Sequence, residues 1–449
     1  MLALMIHPSM PARALDTPKP PTHPGLNLER LAAIEGRVLS MARSATSNGC
    51  RLAWVTRSPN GVLVVTIDGR ADPGYAGHAR GSVVFSADGR QAAYVARQAT
   101  NWVVVAGGQA GPEFDAISRD GPVLSPEGGR VAYAAKKGDI CLVVVDGQPG
   151  PEYDYIADGS PTFSADGRRA AYVARKGDKY LVVVDGQAGR EYDGVSDDSP
   201  VFSLKGNRVS YTAKQGDKWL VVVDGQVGPA YDGIAVRAPV FSPDGKRVAY
   251  GARKGSKWLV VSDGQAGPDY DGIAEACPFF SADGKRIAYA AQKGTKWFVV
   301  VDGQAGPEYD GVAEKSLIFS ADSSRFVYGP RRSAKSLVVV DGRAGPEYDA
   351  VAKIVLSPDG KRVAYAGQTG DKWVAVLDGQ AGPKCVGFAD LAFSADSRHF
   401  AYAARKADKW VVGEDGQLSP EYDVIGEDGL TFAGDDQRVT YAVRKAGNT

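Results

Sequence analysis

Cysteine, histidine and long apolar runs are scarce in this chain of 449 residues, which has four cysteines and four histidines. No apolar stretch approaches the roughly 18 residues needed to cross a bilayer as a helix, so we predict no membrane span. Basic and acidic residues balance at 53 each, so bulk attraction to nucleic acid or anionic membrane is not indicated. The cysteines lie too far apart for a metal site or a disulfide framework, which slightly favours a reducing, cytoplasmic compartment: Cys50, Cys141, Cys277 and Cys385.

The first 48 residues lack the pattern of the rest and form a predicted leader. Its apolar start, residues 1–6, is too short and uncharged for a secretory signal. Residues 17–24 are rich in proline and are typical of an extended linker. Apolar residues at three- to four-residue spacing then predict a short amphipathic helix over 26–43 that lies outside the repeats: Leu28, Leu31, Ile34, Val38 and Met41.

Glycine, proline and internal repetition are abundant. One aromatic residue recurs in the same local context at intervals of 40, then six times 39, then 37, 37 and 39 residues: Trp54, Tyr94, Tyr133, Tyr172, Tyr211, Tyr250, Tyr289, Tyr328, Tyr365, Tyr402 and Tyr441. A fixed period of this length is typical of a solenoid, a propeller or an array, because each unit buries its faces only against its neighbours.

One unit, residues 239–276, shows how the period is filled. Short apolar segments at 239–242, 247–252, 258–261 and 269–273 predict four strands, which we call a, b, c and d. Turn sequences such as Pro-Asp-Gly, Lys-Gly-Ser and Asp-Gly separate them. No helix-length segment remains, so parallel strands joined by crossover helices are excluded.

Strand c is apolar without alternation in most units, as in Trp-Leu-Val-Val-Val at 219–223. A continuous apolar strand has both faces covered, and with no helices the four-stranded units must cover each other. Radial stacking of such units makes an all-β β-propeller of about ten antiparallel blades over residues 49–449. Strands at 50–77 and 430–443 would complete a tenth blade from both chain ends and close one ring. Two smaller rings or an unclosed spiral are the alternatives.

The phrase Phe-Ser-Pro-Asp-Gly-Lys-Arg-Val-Ala-Tyr at 241–250, matched closely at 356–365, resembles the repeat of WD-repeat-like propellers of the TolB type. The resemblance covers about residues 50–445 and implies a propeller that serves as a binding platform. Related blades occur in dipeptidyl-peptidase and prolyl-oligopeptidase enzymes. The hydrolase nucleophile turn of those enzymes, Gly-x-Ser-x-Gly, does not occur in this sequence.

Catalytic and metal-binding residues are not evident. The histidines occupy unrelated positions, so no nucleophile and base can be paired. Carboxylates recur two residues apart around an aromatic, as at Asp269 and Asp271, and we interpret them as turn caps and partners of strand-b arginines. Calcium needs six to eight oxygens from one compact loop, so we predict no metal and no cofactor. An enzyme would need residues that break the repeat symmetry, such as Lys384, Cys385 or His399, to converge on one pocket.

An aromatic residue begins strand c in most units: Trp102, Tyr180, Trp219, Trp258, Trp297, Trp373 and Trp410. Exposed aromatics beside cations stack on sugars or bases. Because strand c is apolar on both faces, we favour the alternative that these rings are packing anchors between blades.

Charge placement is the most informative periodic feature. In an antiparallel blade the b–c hairpins emerge on one rim and the a–b and c–d turns on the other. The b–c hairpins are basic, and their candidate binding residues are Arg175, Lys176, Arg253, Lys254, Arg331, Arg332, Arg405 and Lys406. We expect the opposite rim to hold the Asp-Gly turns and the Glu-Tyr-Asp pairs, so that the neutral molecule is polarised.

Near-identical units argue against chemistry at one spot. The sequence therefore predicts a monomeric, non-catalytic scaffold that binds a macromolecule, a protein in the first instance, on a propeller face or in its channel. The second hypothesis is a polyanion or carbohydrate bound by the basic b–c rim. An enzyme with an unrecognised channel site is the third.

Overall fold

The computed structural model describes residues 37–46, 49–58, 61–72, 74–78, 83–275, 278–313, 316–426, 429–432 and 439–444. Throughout these ranges the regular elements are β-strands. A membrane-crossing helix, which would have to be long and apolar, does not occur in the described part of the chain. The predicted all-β class is confirmed.

Ten antiparallel sheets follow one another along the described chain, and each has four strand positions in the order a, b, c, d. Sheet 1 contains Arg37–Thr46, Gly49–Arg57, Leu63–Ile67 and Arg70–Ala71. In sheets 2 to 10, strand b runs over Ala92–Gln98, Val131–Lys137, Ala170–Lys176, Val209–Gln215, Val248–Lys254, Ile287–Lys293, Phe326–Tyr328 with Pro330–Arg332, Val363–Thr369 and Phe400–Lys406. Strand c runs over Asn101–Ala106, Ile140–Val145, Lys179–Val184, Lys218–Val223, Lys257–Ser262, Lys296–Val301, Lys335–Val340, Lys372–Leu377 and Lys409–Glu414.

The outer strands, a and d, vary in length from sheet to sheet. Strand d has bounds Gln109–Ala110, Gln148–Tyr153, Gln187–Ala188, Gln226–Tyr231, Gln265–Ala266, Gln304–Ala305, Arg343–Tyr348, Gln380–Ala381 and Gln417–Leu418. Strand a is split into two halves in sheets 2 to 8, with bounds Gly77–His78 and Val84–Phe85, Ala116–Ile117 and Val123–Leu124, Tyr155–Ile156 and Thr162–Phe163, Gly194–Val195 and Val201–Phe202, Gly233–Ile234 and Val240–Phe241, Gly272–Ile273 and Phe279–Phe280, and Gly311–Val312 and Ile318–Phe319. It is continuous in sheets 9 and 10, at Ala350–Leu356 and Gly387–Phe393. A terminal unit follows, with Val424–Ile425, Thr431–Phe432, Val439–Thr440 and Val443–Arg444.

The predicted strand d at 269–273 has the wrong bounds. Tyr270 ends strand d of sheet 6 by bridging Trp258, whereas Gly272–Ile273 pairs with strand b of sheet 7. Strand b is seven residues long, and the short segment after each strand-a loop pairs with only two of them. Gly272 and Ile273 pair with Gln292 and Ala291, at the other end of that strand b. The chain therefore passes from sheet 6 to sheet 7 at Asp271.

The two 37-residue intervals have a visible cause. In sheets 9 and 10 the loop that splits strand a elsewhere is shorter, and strand a continues through a register shift instead. The change of period therefore arises within strand a of these two sheets.

The Asp-Gly turns between strands c and d owe their shape to backbone conformation. Asp263 has φ 52° and Gly264 has φ 79°, the two left-handed positions of a type I′ hairpin turn. The Asp263 carboxylate also accepts a hydrogen bond from the Val248 amide at 3.0 Å. The turn therefore joins strand c to strand d and is bonded to strand b of the same sheet.

The core lies between consecutive sheets. One cluster joins Val221 and Tyr231 of sheet 5 to Tyr250, Leu259 and Val261 of sheet 6. On the other face of strand c, Val260 belongs to the cluster that continues into sheets 7 and 8. Strand c is thus covered on both faces by neighbouring sheets, as its unbroken apolar sequence predicts. Stacked four-stranded antiparallel sheets, the blade arrangement of a β-propeller, are confirmed.

Aromatic pairs repeat at these interfaces. Tyr231 of strand d and Tyr250 of the next strand b meet edge to face, with ring centroids 6.3 Å apart. The same T-shaped pair recurs along the array, for example Tyr270 with Tyr289 at 6.1 Å. The recurring aromatic of the sequence period is therefore an inter-sheet packing residue, and its edge-to-face geometry adds to the burial of apolar area.

The helix predicted over 26–43 is wrong for the part that the structure describes, and residues 26–36 lie outside the described residues. Arg37–Thr46 is a strand that pairs antiparallel with Gly49–Arg57. Leu39 and Met41 are exposed while their neighbours are partly buried, an alternation with period two. This pairing covers the exposed edge of Gly49–Arg57 with backbone hydrogen bonds. The stabilisation from that pairing outweighs the weak helical preference of the segment.

The tenth blade shared by both chain ends is also corrected. Arg37–Thr46 takes the strand-a position of sheet 1, which the sequence analysis assigned to the C-terminal strand. In the terminal unit, Thr431–Phe432 pairs with Val439–Thr440, and Val424–Ile425 pairs with Val443–Arg444. Closure into one ring and the blade number stay predictions.

Candidate functional site

The eight predicted binding residues lie at the ends of strand b, on the b–c rim. Seven of them are exposed, and Arg175 is half-buried. Several already have partners: Arg175 lies over the Tyr155 ring at 5.7 Å, and Arg332 pairs with Glu347 at 3.5 Å. Arg253 donates to the Asp232 carbonyl at 3.2 Å.

The Glu-Tyr-Asp aspartates lie on this same b–c rim, so their predicted place on the opposite rim is wrong. Asp271 accepts a hydrogen bond from the Gly294 amide of the next hairpin at 2.7 Å. Its other oxygen pairs with Lys257 of the preceding hairpin. The same lysine–aspartate pairing joins Lys179 to Asp193, Lys218 to Asp232, Lys296 to Asp310, Lys335 to Asp349 and Lys409 to Asp423.

These aspartates are structural links, which we call Asp staples. The Lys257 ammonium, followed by the Gly294 amide, holds the pKa of Asp271 below its usual range. Turn capping by these carboxylates was predicted, but their charged partner is a hairpin lysine and not the predicted strand-b arginine. Because each staple places an acid among the hairpin lysines, the b–c rim is less basic than its sequence indicates.

The aromatic residues at the start of strand c are partly buried. Trp297 packs against the core cluster that joins sheets 6 to 8. Arg97 lies over the Trp102 ring at 5.9 Å, and Lys214 lies over Trp219 at 6.0 Å. These contacts support the interpretation of the column as packing between sheets.

The opposite rim, which carries the a–b and c–d turns, holds a second repeated link that we call the Arg clamp. The Arg247 guanidinium donates to Asp263 of its own sheet at 2.8 Å and to the Lys285 carbonyl of sheet 7 at 2.6 Å. It also lies 5.2 Å from the centre of the Phe280 ring of sheet 7. The same position holds Arg51, Arg130, Arg169, Arg208, Arg286, Arg325 and Arg362, each paired with an Asp-Gly aspartate.

Grooves open beside the clamps where strand d of one sheet faces strand b of the next. Three of them have volumes of about 560, 580 and 310 Å³. The first is lined by Arg247, Asp263, Pro268 and Tyr289, so its charged lining already belongs to a clamp. The grooves repeat at successive junctions with nearly the same lining. They offer no arrangement that distinguishes one unit from another.

The units differ most in the loops that separate the two halves of strand a, which we call the strand-a loops. In sheets 3 to 6 their sequences are Ser-Arg-Asp-Gly-Pro at 118–122, Ala-Asp-Gly-Ser-Pro at 157–161, Ser-Asp-Asp-Ser-Pro at 196–200 and Ala-Val-Arg-Ala-Pro at 235–239. Asp158, Asp197 and Asp198 are exposed, and Val236 is 67% exposed beside exposed Arg237. The first two of these loops touch, since the Gly159 amide donates to Asp120 at 2.9 Å. Sequence reasoning missed these loops, although aligning the units column by column would have found them.

The residues proposed for a catalytic pocket do not converge. The buried Cys385 thiol bonds to the Trp373 carbonyl at 3.1 Å, near the b–c rim. Burial raises the pKa of this thiol, which disfavours the nucleophilic thiolate. His399 follows the a–b turn on the other rim, where it bonds Asp415. Within the described ranges, no group of three or more His, Cys, Asp or Glu side chains is placed to hold a metal ion.

Comparisons with known proteins give similarities of fold only. No protein-family model and no curated protein matches the chain. Among solved structures, the chain is similar to a eukaryotic initiation factor at 15% identity and TM-score 0.35, over 74% of this chain and 97% of that one. It is similar to TolB from Acinetobacter baumannii at 17% identity and TM-score 0.23, over 59% and 77%. The β-propeller domain of the trilobed protease from Pyrococcus furiosus matches at 13% identity and TM-score 0.27, over 59% and 94%.

Proposed function

We propose that this chain is a non-catalytic repeat scaffold that binds a protein partner through its strand-a loops. The supporting observation is the contrast between framework and loops. Clamps and staples occupy the charged motifs of the repeat, and they recur with the same partners from sheet to sheet. The exposed residues of the strand-a loops differ from unit to unit, which a specific partner requires.

The chemistry of these loops fits a protein surface of mixed character. Loops 157–161 and 196–200 carry exposed carboxylates at Asp158, Asp197 and Asp198. Loop 235–239 adds an exposed apolar side chain, Val236, and a cation, Arg237. A partner segment with basic residues beside an apolar one would meet complementary groups along this row.

Quantitative affinity capture from the native host, with matched variants, tests the proposal. The loop variant Val236→Ser with Arg237→Glu changes one unit-specific loop. Lys246→Glu is the control, because this lysine is 81% exposed on the turn rim and takes no part in a clamp through its side chain. We expect a protein that the wild type and the control retain and the loop variant loses. Equal retention by all three chains would contradict the proposed site.

Binding of a polyanion to the b–c rim is the second candidate, favoured by its exposed hairpin cations. Lys176, Lys254 and Lys406 are exposed, and no ion pair to a described residue is formed by them. Replacement of these three by glutamate should abolish retention on a heparin matrix, and wild-type retention should weaken steeply as salt rises. Wild-type retention that is absent or indifferent to salt would remove this candidate.

A further inference from the structure

The residue at the clamp position of sheet 10 is a histidine, where most other sheets have an arginine. Arginine follows the a–b turn in sheets 1, 3 to 9, and the equivalent residue of sheet 10 is His399, 37 residues after Arg362. His399 lies between sheet 10 and the terminal unit, Val424–Arg444. It is therefore the one clamp side chain in the described residues whose charge changes near neutral pH.

His399 stands at the clamp position of sheet 10 and reaches some of the same groups as a clamp arginine. Its Nδ1 lies 2.5 Å from Oδ2 of Asp415, the aspartate of its own Asp-Gly turn. Its ring centre lies 6.5 Å from that of Phe432 in the terminal unit, with the planes 30° apart. A groove of about 420 Å³ at this junction is lined by His399 and Asp415 of sheet 10 and by Val439 and Tyr441 of the terminal unit.

The described charged groups around this ring are mostly acids. Asp415 bonds the ring, and Glu414 and Asp396 add negative charge nearby. The cation on the same turn, Arg398, pairs with Asp396 at 3.9 Å. From the terminal unit comes Tyr441, whose pKa burial raises to about 12, so it stays neutral at physiological pH.

We propose that His399 is a pH-sensitive contact that holds the terminal unit against sheet 10 while its ring is protonated. The imidazolium donates to Asp415 and presents a cation beside the Phe432 ring, as arginine does at the other clamps. The neutral ring leaves Asp415 beside Glu414 without a neighbouring cation. The contact to the terminal unit is then weaker.

The direction of the pH dependence follows from the hydrogen bond to Asp415, which raises the pKa of His399 above its usual value. A group whose pKa is raised on folding contributes stability fully at pH values below the unfolded pKa of about 6.5. That contribution is lost as pH rises through the folded pKa. The terminal unit should therefore be held less firmly in mildly alkaline solution than in mildly acidic solution.

Hydrogen exchange of backbone amides between pH 5.5 and pH 8.5 tests this, with each rate divided by its intrinsic rate at that pH. A reporter is the Gly426 amide, which bonds the Ala442 carbonyl within the terminal unit at 2.8 Å. Its protection should fall roughly two- to five-fold across the range, the scale of an exposed ion pair. The Gly267 amide of sheet 6, bonded to the Val260 carbonyl at 2.9 Å, is the reference and should keep its protection.

Two variants separate this contact from general pH effects. His399→Arg restores the clamp residue of the other junctions and should make the protection of Gly426 independent of pH. Arg362→His places a histidine at the preceding junction, and the protection of amides at the junction between sheets 9 and 10 should then depend on pH. Flat protection in the wild type, or a pH dependence that survives in His399→Arg, would overturn the proposal. Because Arg362→His leaves His399 intact, it tests the chemistry even if His399→Arg disturbs the terminal unit.

Discussion

The junction between sheets 6 and 7 and the junction between sheet 10 and the terminal unit use the same positions with different side chains. In the first, Arg247 reaches an aspartate, a backbone carbonyl and a phenylalanine ring. In the second, His399 bonds one aspartate and lies near one ring. The difference shows that the same position can join neighbouring sheets through three groups or through two, and we expect the junction with fewer contacts to be the weaker one.

Loss of a buried inter-sheet ring should have the largest effect on the free energy of unfolding, and the effect should differ between the two regions. Tyr289→Ala removes an inter-sheet ring that is 3% exposed, and we expect a loss of about 3–5 kcal/mol in the free energy of unfolding. Tyr441→Ala, at the half-buried equivalent in the terminal unit, should cost far less, because less apolar area is lost there. Urea denaturation followed by tryptophan fluorescence measures both. Equal losses would contradict the view that the terminal unit is the more weakly packed.

Removal of one Arg clamp has a smaller expected effect. Arg247→Gln shortens the side chain and removes its charge, so we expect a loss of about 1 kcal/mol in the free energy of unfolding. The matched control is Gln91→Ala, since Gln91 occupies the clamp position of sheet 2, whose c–d turn carries Gly107 in place of aspartate. The control should leave the urea midpoint unchanged. A midpoint that moves equally in both variants would show that the clamp charge contributes nothing.

The Asp staples should show the smallest effect, present at neutral pH and lost in acid. Because the pKa of Asp271 is lowered on folding, its contribution is present above the unfolded pKa of about 3.9 and is lost as pH falls through the folded value. Asp271→Asn should therefore be less stable than the wild type at neutral pH, with the gap closing in acid. Thermal melting temperatures between pH 2 and pH 7 measure the gap. A gap that stays constant throughout this range would mean that the charge of Asp271 plays no part.

Much of the fold could be predicted from the sequence because period and patterning both act locally. The unbroken apolar run at 219–223 correctly predicts a strand covered on both faces, and the Asp-Gly pairs correctly predict c–d hairpin turns. The helix over 26–43 failed because the pairing of Arg37–Thr46 with Gly49–Arg57 is a tertiary effect. Periodicity within a short window gives no information about which edge a segment will cover.

The candidate site was less predictable, for a related reason. Assigning 269–273 to one strand put Asp271 on the wrong rim, whereas the chain crosses between sheets at that residue. Because the crossing lies at Asp271, the aspartates predicted for the opposite rim lie on the b–c rim and pair with its lysines. Which charges remain unpaired depends on contacts between units, and the pattern inside one unit does not contain them.

The central claim is that consecutive sheets cover both faces of each strand c. Residue-resolved hydrogen exchange of the strand-c amides in sheets 5 to 7 tests it most directly, at Lys218–Val223, Lys257–Ser262 and Lys296–Val301. If the claim holds, the amides in the middle of these strands are among the slowest to exchange in the chain, slower than those of the strand-a loops. Exchange as fast as that of the loops would mean that the valine-rich strands are open to solvent, and the stacked arrangement would be wrong.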